Sequence, residues 1–302
     1  MCLEEVDIDG SPVVDESLVG RLIAKQFPRW AGLPVVKVCS AGTDNVMYRL
    51  GEDMVVRLPR TPRAVAQMDV EQRWLPRLAP LLPLTVPVPL GRGVAGEGFP
   101  YPWSVYRWLD GAYAVDEPIV DLPDAAVRLG RFVAALRRLD TTGAPASFRG
   151  GPVSGHADDV HAALWDLGIH GVVDADVVVA AWRAALAAAT WDRAPVWVHG
   201  DLHPANLLCR DGRLAAVVDF GGLGVGDPAC DMLPAWTLLT SQTRDLFRAE
   251  AGVDDATWAR GRGWGLYFGL GAVHVYRVTN PVLAAIGHHA LTEALADFQR
   301  TA

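Results

Sequence analysis

Residues 198–221 constrain the fold more than any other part of this chain. Their sequence is V-H-G-D-L-H-P-A-N-L-L-C-R-D-G-R-L-A-A-V-V-D-F-G. Two apolar, β-prone runs, 207–209 and 214–218, flank Asp211-Gly212, and a D-G step between such runs is a strong signal for a two-residue turn. The pattern therefore predicts a β-hairpin in which Arg210 faces Arg213.

The register of this hairpin predicts where the polar residues at its open end lie. Counting back from the turn places Asn206 opposite Val217. Asp219 shares a face with Val217, because side chains alternate along a strand. An amide oxygen and a carboxylate would then converge, and such a pair suits Mg²⁺, which takes one or two protein carboxylates plus waters and phosphates. Asp201, just upstream of Asn206, remains available to act as a base beside that metal.

The same segment resembles the aminoglycoside phosphotransferase family, small-molecule kinases with a protein-kinase-like fold. The family's catalytic loop, H-G-D-x-x-x-x-N, is matched here by His199, Gly200, Asp201 and Asn206. The D-F-G that follows and the G-D-P-A-x-D run at 226–231 match as well. The resemblance implies that Asp201 is the catalytic base, that Asn206 and Asp219 hold Mg²⁺, and that His199 braces the loop. The alternative reading treats Asp201 and Asn206 as ordinary turn residues, with D-F-G as the start of a loop.

By this resemblance the fold is α+β, bilobal and protein-kinase-like. Residues 1–110 would form a β-rich N-lobe that binds ATP or GTP. Residues 111–302 would form a larger, helical C-lobe with the catalytic loop and the acceptor-substrate site. A hinge is expected at 107–111, where the main chain of Arg107 and Leu109 would meet the base of the nucleotide.

Residues 35–58 alternate short β-prone runs with turns, which predicts a β-meander. In a kinase-like setting the turn at 42–45 would place the main-chain amides of Gly42 and Thr43 over the nucleotide phosphates. The same four residues also suit an ordinary hairpin loop.

A helix is predicted over 62–75, with one apolar face that includes a carboxylate. That face is formed by Ala64, Met68, Glu71 and Leu75. A buried carboxylate needs a cation or hydrogen bonds, and Arg57 at the end of the preceding strand is the natural partner. The resemblance implies that this pair holds phosphates, with Arg57 in place of the family's usual lysine. Alternatively, Glu71 lies at the solvent edge of the face and Arg57 is a strand-end charge.

Composition limits the remaining choices. With 302 residues, 51% of them hydrophobic, the chain can build two lobes with substantial cores. A formal charge of −8 argues against nucleic acid as the main partner and suits a small, hydroxylated, cationic substrate. We expect a cytoplasmic protein that does not span a membrane. The cysteines are scattered, the N-terminus is acidic and has no apolar signal run, and the chain has no long uncharged apolar stretch. Nothing in the sequence calls for an obligate protein partner.

The expected function is transfer of a nucleotide γ-phosphoryl group to a hydroxyl of a small molecule, with an aminoglycoside-type antibiotic as the leading acceptor. A macrolide, a cyclic-peptide antibiotic or an endogenous metabolite such as choline, homoserine or a fructosamine remains open. So does a nucleotide-binding module without turnover. A two-metal phosphatase would need further His/Asp clusters, which the sequence does not offer.

Overall fold

The computed structural model describes residues 14–38, 44–169 and 171–301. Within these ranges the chain divides into two compact units. The first contains the described residues up to Leu81 together with Thr85–Asp110, and the second contains Leu82–Leu84 and the described residues from Gly111 onward. Gly42 and Thr43, assigned to the phosphate turn, lie outside the described residues.

The first unit is built on an antiparallel sheet with the strand order β1-β2-β3-β5-β4. The strands are β1 (Val35–Val38), β2 (Asn45–Leu50), β3 (Met54–Pro59), β4 (Pro89–Gly93) and β5 (Trp103–Arg107). Helix α1 (Glu16–Gln26) is capped by Asp15, whose carboxylate accepts from the Leu18 N–H. The apolar face of α1 joins the sheet in one buried core that includes Leu22, Tyr48 and Val105. The predicted meander is present as β1-β2-β3.

Helix α2 (Pro62–Leu78) has the buried face that its sequence predicts. Thr61 caps its N-terminus by accepting from the Ala64 N–H at 3.2 Å. The buried residues of α2 include Ala64, Met68, Glu71 and Leu75. The helix runs three residues beyond its predicted end at Leu75, because α2 continues through Pro76 to Leu78. A proline removes one main-chain hydrogen bond from a helix, and burial of Trp74, Leu75 and Leu78 around it offsets that loss.

The second unit combines small sheets with helices. Its strands are β6 (Ala112–Tyr113), β7 (Val196–Val198), β8 (Leu207–Arg210), β9 (Arg213–Val217) and β10 (Gly224–Gly226). Strands β6, β8 and β9 form one sheet, and β7 pairs with β10 in another. Its helices are α3 (Leu122–Leu136), α4 (Ala157–Ile169), α5 (Ala175–Ala187), α6 (Pro234–Thr237), α7 (Arg244–Ala251), α8 (Asp255–Tyr276) and α9 (Pro281–Thr301).

Helix α8 is the centre of the helical packing, in contact with α4, α5 and α9. Its glycine spacing predicts close approach of neighbouring helices, and the structure has it. A Cβ added at Gly269 would lie 2.7 Å from Leu291 Cγ and 3.0 Å from the Gly287 carbonyl oxygen, both on α9. Any larger side chain at Gly269 would therefore push the two helices apart.

The cysteines and the helices of the described residues bear on the expectations of unpaired cysteines and of no membrane span. Cys209 and Cys230 are buried and form no disulfide. Of the helices that the structure describes, none has the length and apolar character needed to cross a membrane.

Candidate active site

Strands β8 and β9 form the predicted hairpin, closed by Asp211-Gly212. Both turn residues have positive φ, 55° and 71°, the conformation of a two-residue type I′ turn. Arg210 pairs with Arg213, as predicted.

The predicted pairing of Asn206 with Val217 is wrong by one residue. The register shifts between Leu208 and Cys209, so that Leu207, not Asn206, lies opposite Val217. Such a bulge places an extra residue in one strand. Asn206 instead accepts from the Val218 N–H through its main-chain oxygen at 2.9 Å. The argument that alternation alone brings Asn206 and Asp219 to one face therefore fails.

The loop between β7 and β8 carries Asp201 and Asn206, and the two side chains meet there. Asn206 Nδ2 donates to the Asp201 main-chain oxygen at 2.9 Å and to Asp201 Oδ2 at 3.3 Å. The other carboxylate oxygen, Oδ1, is buried and accepts no hydrogen bond from the residues that the structure describes. Asp201 therefore has one oxygen hydrogen-bonded within the loop and one oxygen that makes no hydrogen bond to the described residues.

Two cationic or cation-forming side chains that the sequence does not single out lie beside Asp201. Arg149 Nη2 is 3.5 Å from Oδ1, and His203 Nε2 is 3.5 Å from Oδ2. Burial by itself would raise the pKa of Asp201, but Arg149, His203 and His199 outweigh it and hold that pKa well below its usual range. Asp201 is therefore a carboxylate at neutral pH.

His199 joins the Asp201 loop to the strand that leads into Asp219. Its Nδ1 accepts from the Asp201 N–H at 3.2 Å, and its Nε2 donates to the Val218 carbonyl oxygen at 3.1 Å. Burial lowers the pKa of His199 to about 4, against the opposing effects of Asp201 and Asp219. A neutral imidazole that donates on one side and accepts on the other fits the bracing role implied by the family resemblance.

Asp231 fixes the main chain of the same loop. Its two carboxylate oxygens accept from the N–H groups of His199 and Gly200, at 2.8 and 2.7 Å. Asp231 is fully buried, and burial raises its pKa to about 6 in spite of those two hydrogen bonds and of Arg137. It anchors the loop, as its place after the D-P step suggests.

Asp227 caps the short helical turn Pro228–Met232 by accepting from the Ala229 N–H at 2.9 Å. It also forms a buried two-point ion pair with Arg260 of α8, at 2.8 and 3.0 Å. The D-P step in the sequence predicts the cap, whereas the partner on α8 becomes known only from the fold.

Arg260→Ala is expected to lower the free energy of unfolding by about 3–5 kcal/mol, because it leaves the Asp227 carboxylate buried without its cation. Urea denaturation followed by circular dichroism measures this. Arg131→Ala is the control, since Arg131 pairs with Glu250 at the surface with 62% of its side chain exposed, and it should cost at most about 1 kcal/mol. Equal losses in the two variants would contradict the assignment of Asp227–Arg260 as a stabilising buried pair.

Asp219 follows β9 in an unusual conformation for a residue with a side chain. Its φ and ψ are 60° and 74°, in the left-handed region, and Oδ1 accepts from the Gly221 N–H at 3.4 Å. Left-handed aspartate costs of order 1–3 kcal/mol and persists where surrounding structure requires it, commonly at functional sites. The conformation ends the strand alternation at this residue, which sequence periodicity could not foresee.

Asn206 and Asp219, the residues implied as Mg²⁺ ligands, form at most a partial ligand set. The Asn206 amide nitrogen donates to Asp201, which directs its amide oxygen to another partner. Among the described residues no group of three or more His, Cys, Asp or Glu side chains could hold a metal ion. Mg²⁺ bound with a nucleotide usually takes only one or two protein carboxylates, with waters and phosphates as its other ligands.

In the first unit, the predicted Arg57–Glu71 ion pair is present. Arg57 Nη1 lies 2.8 Å from Glu71 Oε2, and the Glu71 side chain is only 1% exposed. Tyr106 adds a second donor, with its hydroxyl 2.5 Å from the same oxygen. Burial, followed by the charge of Glu71, raises the pKa of Tyr106 well above its usual value, so it remains a hydrogen-bond donor. The reading of Glu71 as a solvent-edge residue is therefore wrong.

Arg57→Ala and Glu71→Ala are expected to be non-additive in kcat/KM for the nucleotide, with a coupling energy of roughly 0.5–3 kcal/mol, because each removes the other's partner. Arg57→Lys should keep measurable activity, since it keeps the charge and loses only the planar fork. The matched control is the exposed Arg92–Asp69 pair, also at 2.8 Å, whose alanine variants should leave kcat/KM unchanged. Strict additivity for Arg57 and Glu71 would show that their contact has no part in activity.

Of the two main-chain segments expected to meet the nucleotide base at the hinge, Arg107 and Leu109, only Leu109 has an unbonded N–H among the described residues. The Arg107 N–H donates to the Val88 carbonyl oxygen at 2.9 Å, so it is not available to a base. Leu109 has no main-chain hydrogen bond to any described residue. Trp103 and Tyr106, aromatic residues of the preceding strand β5, are 0% and 1% exposed and belong to the core, so neither can stack on a base.

The sequence of this chain matches the model of a known protein family. The model of the phosphotransferase enzyme family matches residues 35–264, which include Arg57, Glu71 and the whole 198–221 segment. This chain belongs to the phosphotransferase enzyme family. The kinase-like α+β fold expected from the sequence is thereby confirmed. No curated protein has a matching sequence.

Solved structures of other phosphotransferases share the fold. The GDP and kanamycin complex of the aminoglycoside phosphotransferase APH(2″)-IIIa has a TM-score of 0.70 at 18% identity, with 92% of this chain and 98% of that chain covered. The ADP-bound aminoglycoside phosphotransferase APH(2″)-Ib gives 0.58 at 16%, with 93% and 98% covered. The macrolide 2′-phosphotransferase MphH from Brachybacterium faecium, an apoenzyme, gives 0.57 at 26%, with 89% and 97% covered.

Proposed function

We propose that this phosphotransferase moves the γ-phosphoryl group of ATP or GTP to a hydroxyl of a small-molecule antibiotic, in the cytoplasm, where these nucleotides are available. The observation that carries the proposal is the state of Asp201. It is a carboxylate with one oxygen held by Asn206 and the other, Oδ1, without a hydrogen bond from the described residues. A general base must have such an oxygen within reach of the hydroxyl that it deprotonates.

The other residues of the proposed machinery have separate tasks. Asn206 and Asp219 would hold Mg²⁺, which when bound neutralises charge on the transferring group. Arg57, oriented by Glu71 and Tyr106, would bind nucleotide phosphate as a fixed guanidinium. Gly42 and Thr43 would offer main-chain amides to phosphate. The main chain at Leu109, with Arg107 limited to its carbonyl group, would meet the base.

The acceptor is proposed to be an aminoglycoside-type antibiotic, in keeping with the net charge of −8 and with the kanamycin complex of one structural neighbour. A macrolide is the second candidate. The macrolide 2′-phosphotransferase is 26% identical, against 16–18% for the two aminoglycoside enzymes compared above. The surroundings of Asp201 also favour it.

Those surroundings are aromatic and cationic. His203 packs against Phe268 with ring centroids 5.1 Å apart, and the neighbouring Tyr267 stacks on His156 at 4.2 Å. The aromatic rings can pack on the apolar face of a sugar ring, and Arg149 beside Asp201 repels a dense set of ammonium groups.

The test is a panel of acceptors with Mg·ATP and Mg·GTP in separate reactions. Kanamycin, gentamicin and erythromycin are each incubated with the protein, and mass spectrometry detects the added phosphate. Asp201→Asn is the control for transfer that does not depend on the site. Nucleotide binding without consumption would support the binding-module alternative, and phosphate release without any phosphorylated acceptor would support a hydrolase. Either result with every acceptor would overturn the proposal.

A further inference from the structure

A short loop after α3 brings one arginine against the Asp201 carboxylate. Arg149 Nη2 lies 3.5 Å from Asp201 Oδ1, close enough for an ion pair and too far for a good hydrogen bond. The two side chains are 22% and 26% exposed, so solvent screens their attraction only in part. Arg149 therefore lies where its charge can orient the carboxylate, while Oδ1 makes no hydrogen bond to the described residues.

The loop that carries Arg149 is bound to strand β10 through the main chain. The Ser147 N–H donates to the Val225 carbonyl oxygen at 3.0 Å, and the Val225 N–H donates to the Pro145 carbonyl oxygen at 2.8 Å. Just after Arg149, the Gly150 carbonyl oxygen accepts from the Asp227 N–H at 2.8 Å. Main-chain hydrogen bonds thus attach the loop to β10 and to Asp227, on both sides of Arg149.

Glycines make this attachment possible and explain the glycine-rich run that follows D-F-G. A Cβ at Gly224 would lie 2.4 Å from the Ser147 nitrogen, and a Cβ at Gly226 would lie 2.3 Å from Gly150 Cα. Both distances are below any real Cβ contact. The close approach of the two main chains therefore requires glycine at these positions.

The same loop also contacts the catalytic loop directly. The buried Ser147 hydroxyl donates to the Gly222 carbonyl oxygen at 2.7 Å and accepts from the Arg149 N–H at 3.1 Å. A Cβ at Gly200, next to Asp201, would lie only 3.3 Å from Arg149 Cβ. The main chain of Arg149 is thus fixed relative to both D-F-G and the Asp201 loop.

We propose that Arg149 is a positioning residue for phosphoryl transfer. It holds the Asp201 carboxylate in one orientation, with Oδ1 toward Arg149 and Oδ2 toward Asn206, from a loop whose position is set by Ser147 and by the glycines of β10. This assignment rests on the proposed function, in which Asp201 accepts the proton of that hydroxyl.

The test compares Arg149→Met, Arg149→Lys and Ser147→Ala with the wild-type protein, using Mg·GTP and kanamycin, or erythromycin if kanamycin is not phosphorylated. Misplacing a reacting group by about 1 Å can cost on the order of a hundredfold. We accordingly expect kcat to fall about tenfold to a hundredfold in Arg149→Met, with partial recovery in Arg149→Lys and an intermediate loss in Ser147→Ala. The KM for GTP should not change, and Arg131→Met, at a surface ion pair, should behave as wild type.

A double-mutant cycle separates positioning from a merely structural role. In an Asp201→Asn background, Arg149→Met should cause little further loss, because there is no longer a charge for Arg149 to hold. The same fold-loss in both backgrounds would overturn the proposal, and so would an unchanged kcat in Arg149→Met.

A crystal structure of Arg149→Met gives a readout that does not depend on turnover. The Asp201 carboxylate should rotate or take more than one orientation in that variant, and an unchanged single orientation would refute the positioning role. If the wild-type protein phosphorylates no acceptor, the proposed function fails, and this structure still decides whether Arg149 orients Asp201.

Discussion

Asp219→Ala is expected to abolish measurable phosphoryl transfer, with a loss of at least about a thousandfold, or roughly 4 kcal/mol in the barrier. The reason is that Asp219 supplies the one carboxylate proposed to hold Mg²⁺, together with the Asn206 amide oxygen. Mg²⁺-dependent nucleotide affinity should fall as well, whereas affinity measured with EDTA present should not change. Isothermal calorimetry with ATP and GTP, with and without magnesium, measures both.

The left-handed conformation of Asp219 calls for two controls. Asp219→Asn removes the charge but tolerates positive φ, and it should be as inactive as the alanine variant. Asp211→Ala places alanine at a similar φ of 55° at the exposed hairpin turn, and it should keep activity despite a cost of roughly 1–2 kcal/mol in stability. Unchanged magnesium-dependent affinity in Asp219→Asn would rule out Asp219 as the metal ligand.

Asp201→Asn is expected to lower kcat by at least about a hundredfold, the low end for a lost general base. The amide keeps the size of the side chain and its contact with Asn206, so nucleotide affinity should remain close to wild type. Steady-state kinetics with the acceptor found in the panel, and calorimetry for the nucleotide, measure the two quantities.

Asp166 offers a matched control within the same unit. Its carboxylate also lies between a histidine and an arginine, at 2.9 Å from His274 Nδ1 and 2.6 Å from Arg277 Nη1, and its side chain is 24% exposed against 26% for Asp201. Asp166→Asn should leave kcat unchanged, because no proposed reacting group is near it. A near-normal kcat in Asp201→Asn would mean that Asp201 is not the base.

The β8–β9 hairpin shows which features the local sequence can predict and which it cannot. The D-G step determined the turn and the Arg210–Arg213 pair, because positive φ at two successive positions is readily adopted by very few dipeptides. The bulge near Cys209 left no comparable signal. It placed Asn206 opposite Val218 instead of Val217. The argument from strand alternation that Asn206 and Asp219 share one face therefore failed.

The Arg57–Glu71 pair was predictable for a different reason. A single carboxylate on an otherwise apolar helix face must find a cation when it is buried, and the strand just before the helix offered one. Tyr106, the second donor to Glu71, comes from β5, and its pairing with β3 is a long-range choice that the sequence does not encode locally.

The sequence by itself determined the family, the α+β class, the turn at Asp211-Gly212 and the identity of the residues proposed for catalysis, because each of these depends on short spacings and on intrinsic backbone preferences. Only the tertiary structure decided what surrounds Asp201. Arg149 lies fifty-two positions away along the chain and reaches Asp201 because glycines allow its loop to pack on β10. A contact made by such main-chain packing between distant segments has no periodicity or motif, and the folded chain alone creates it.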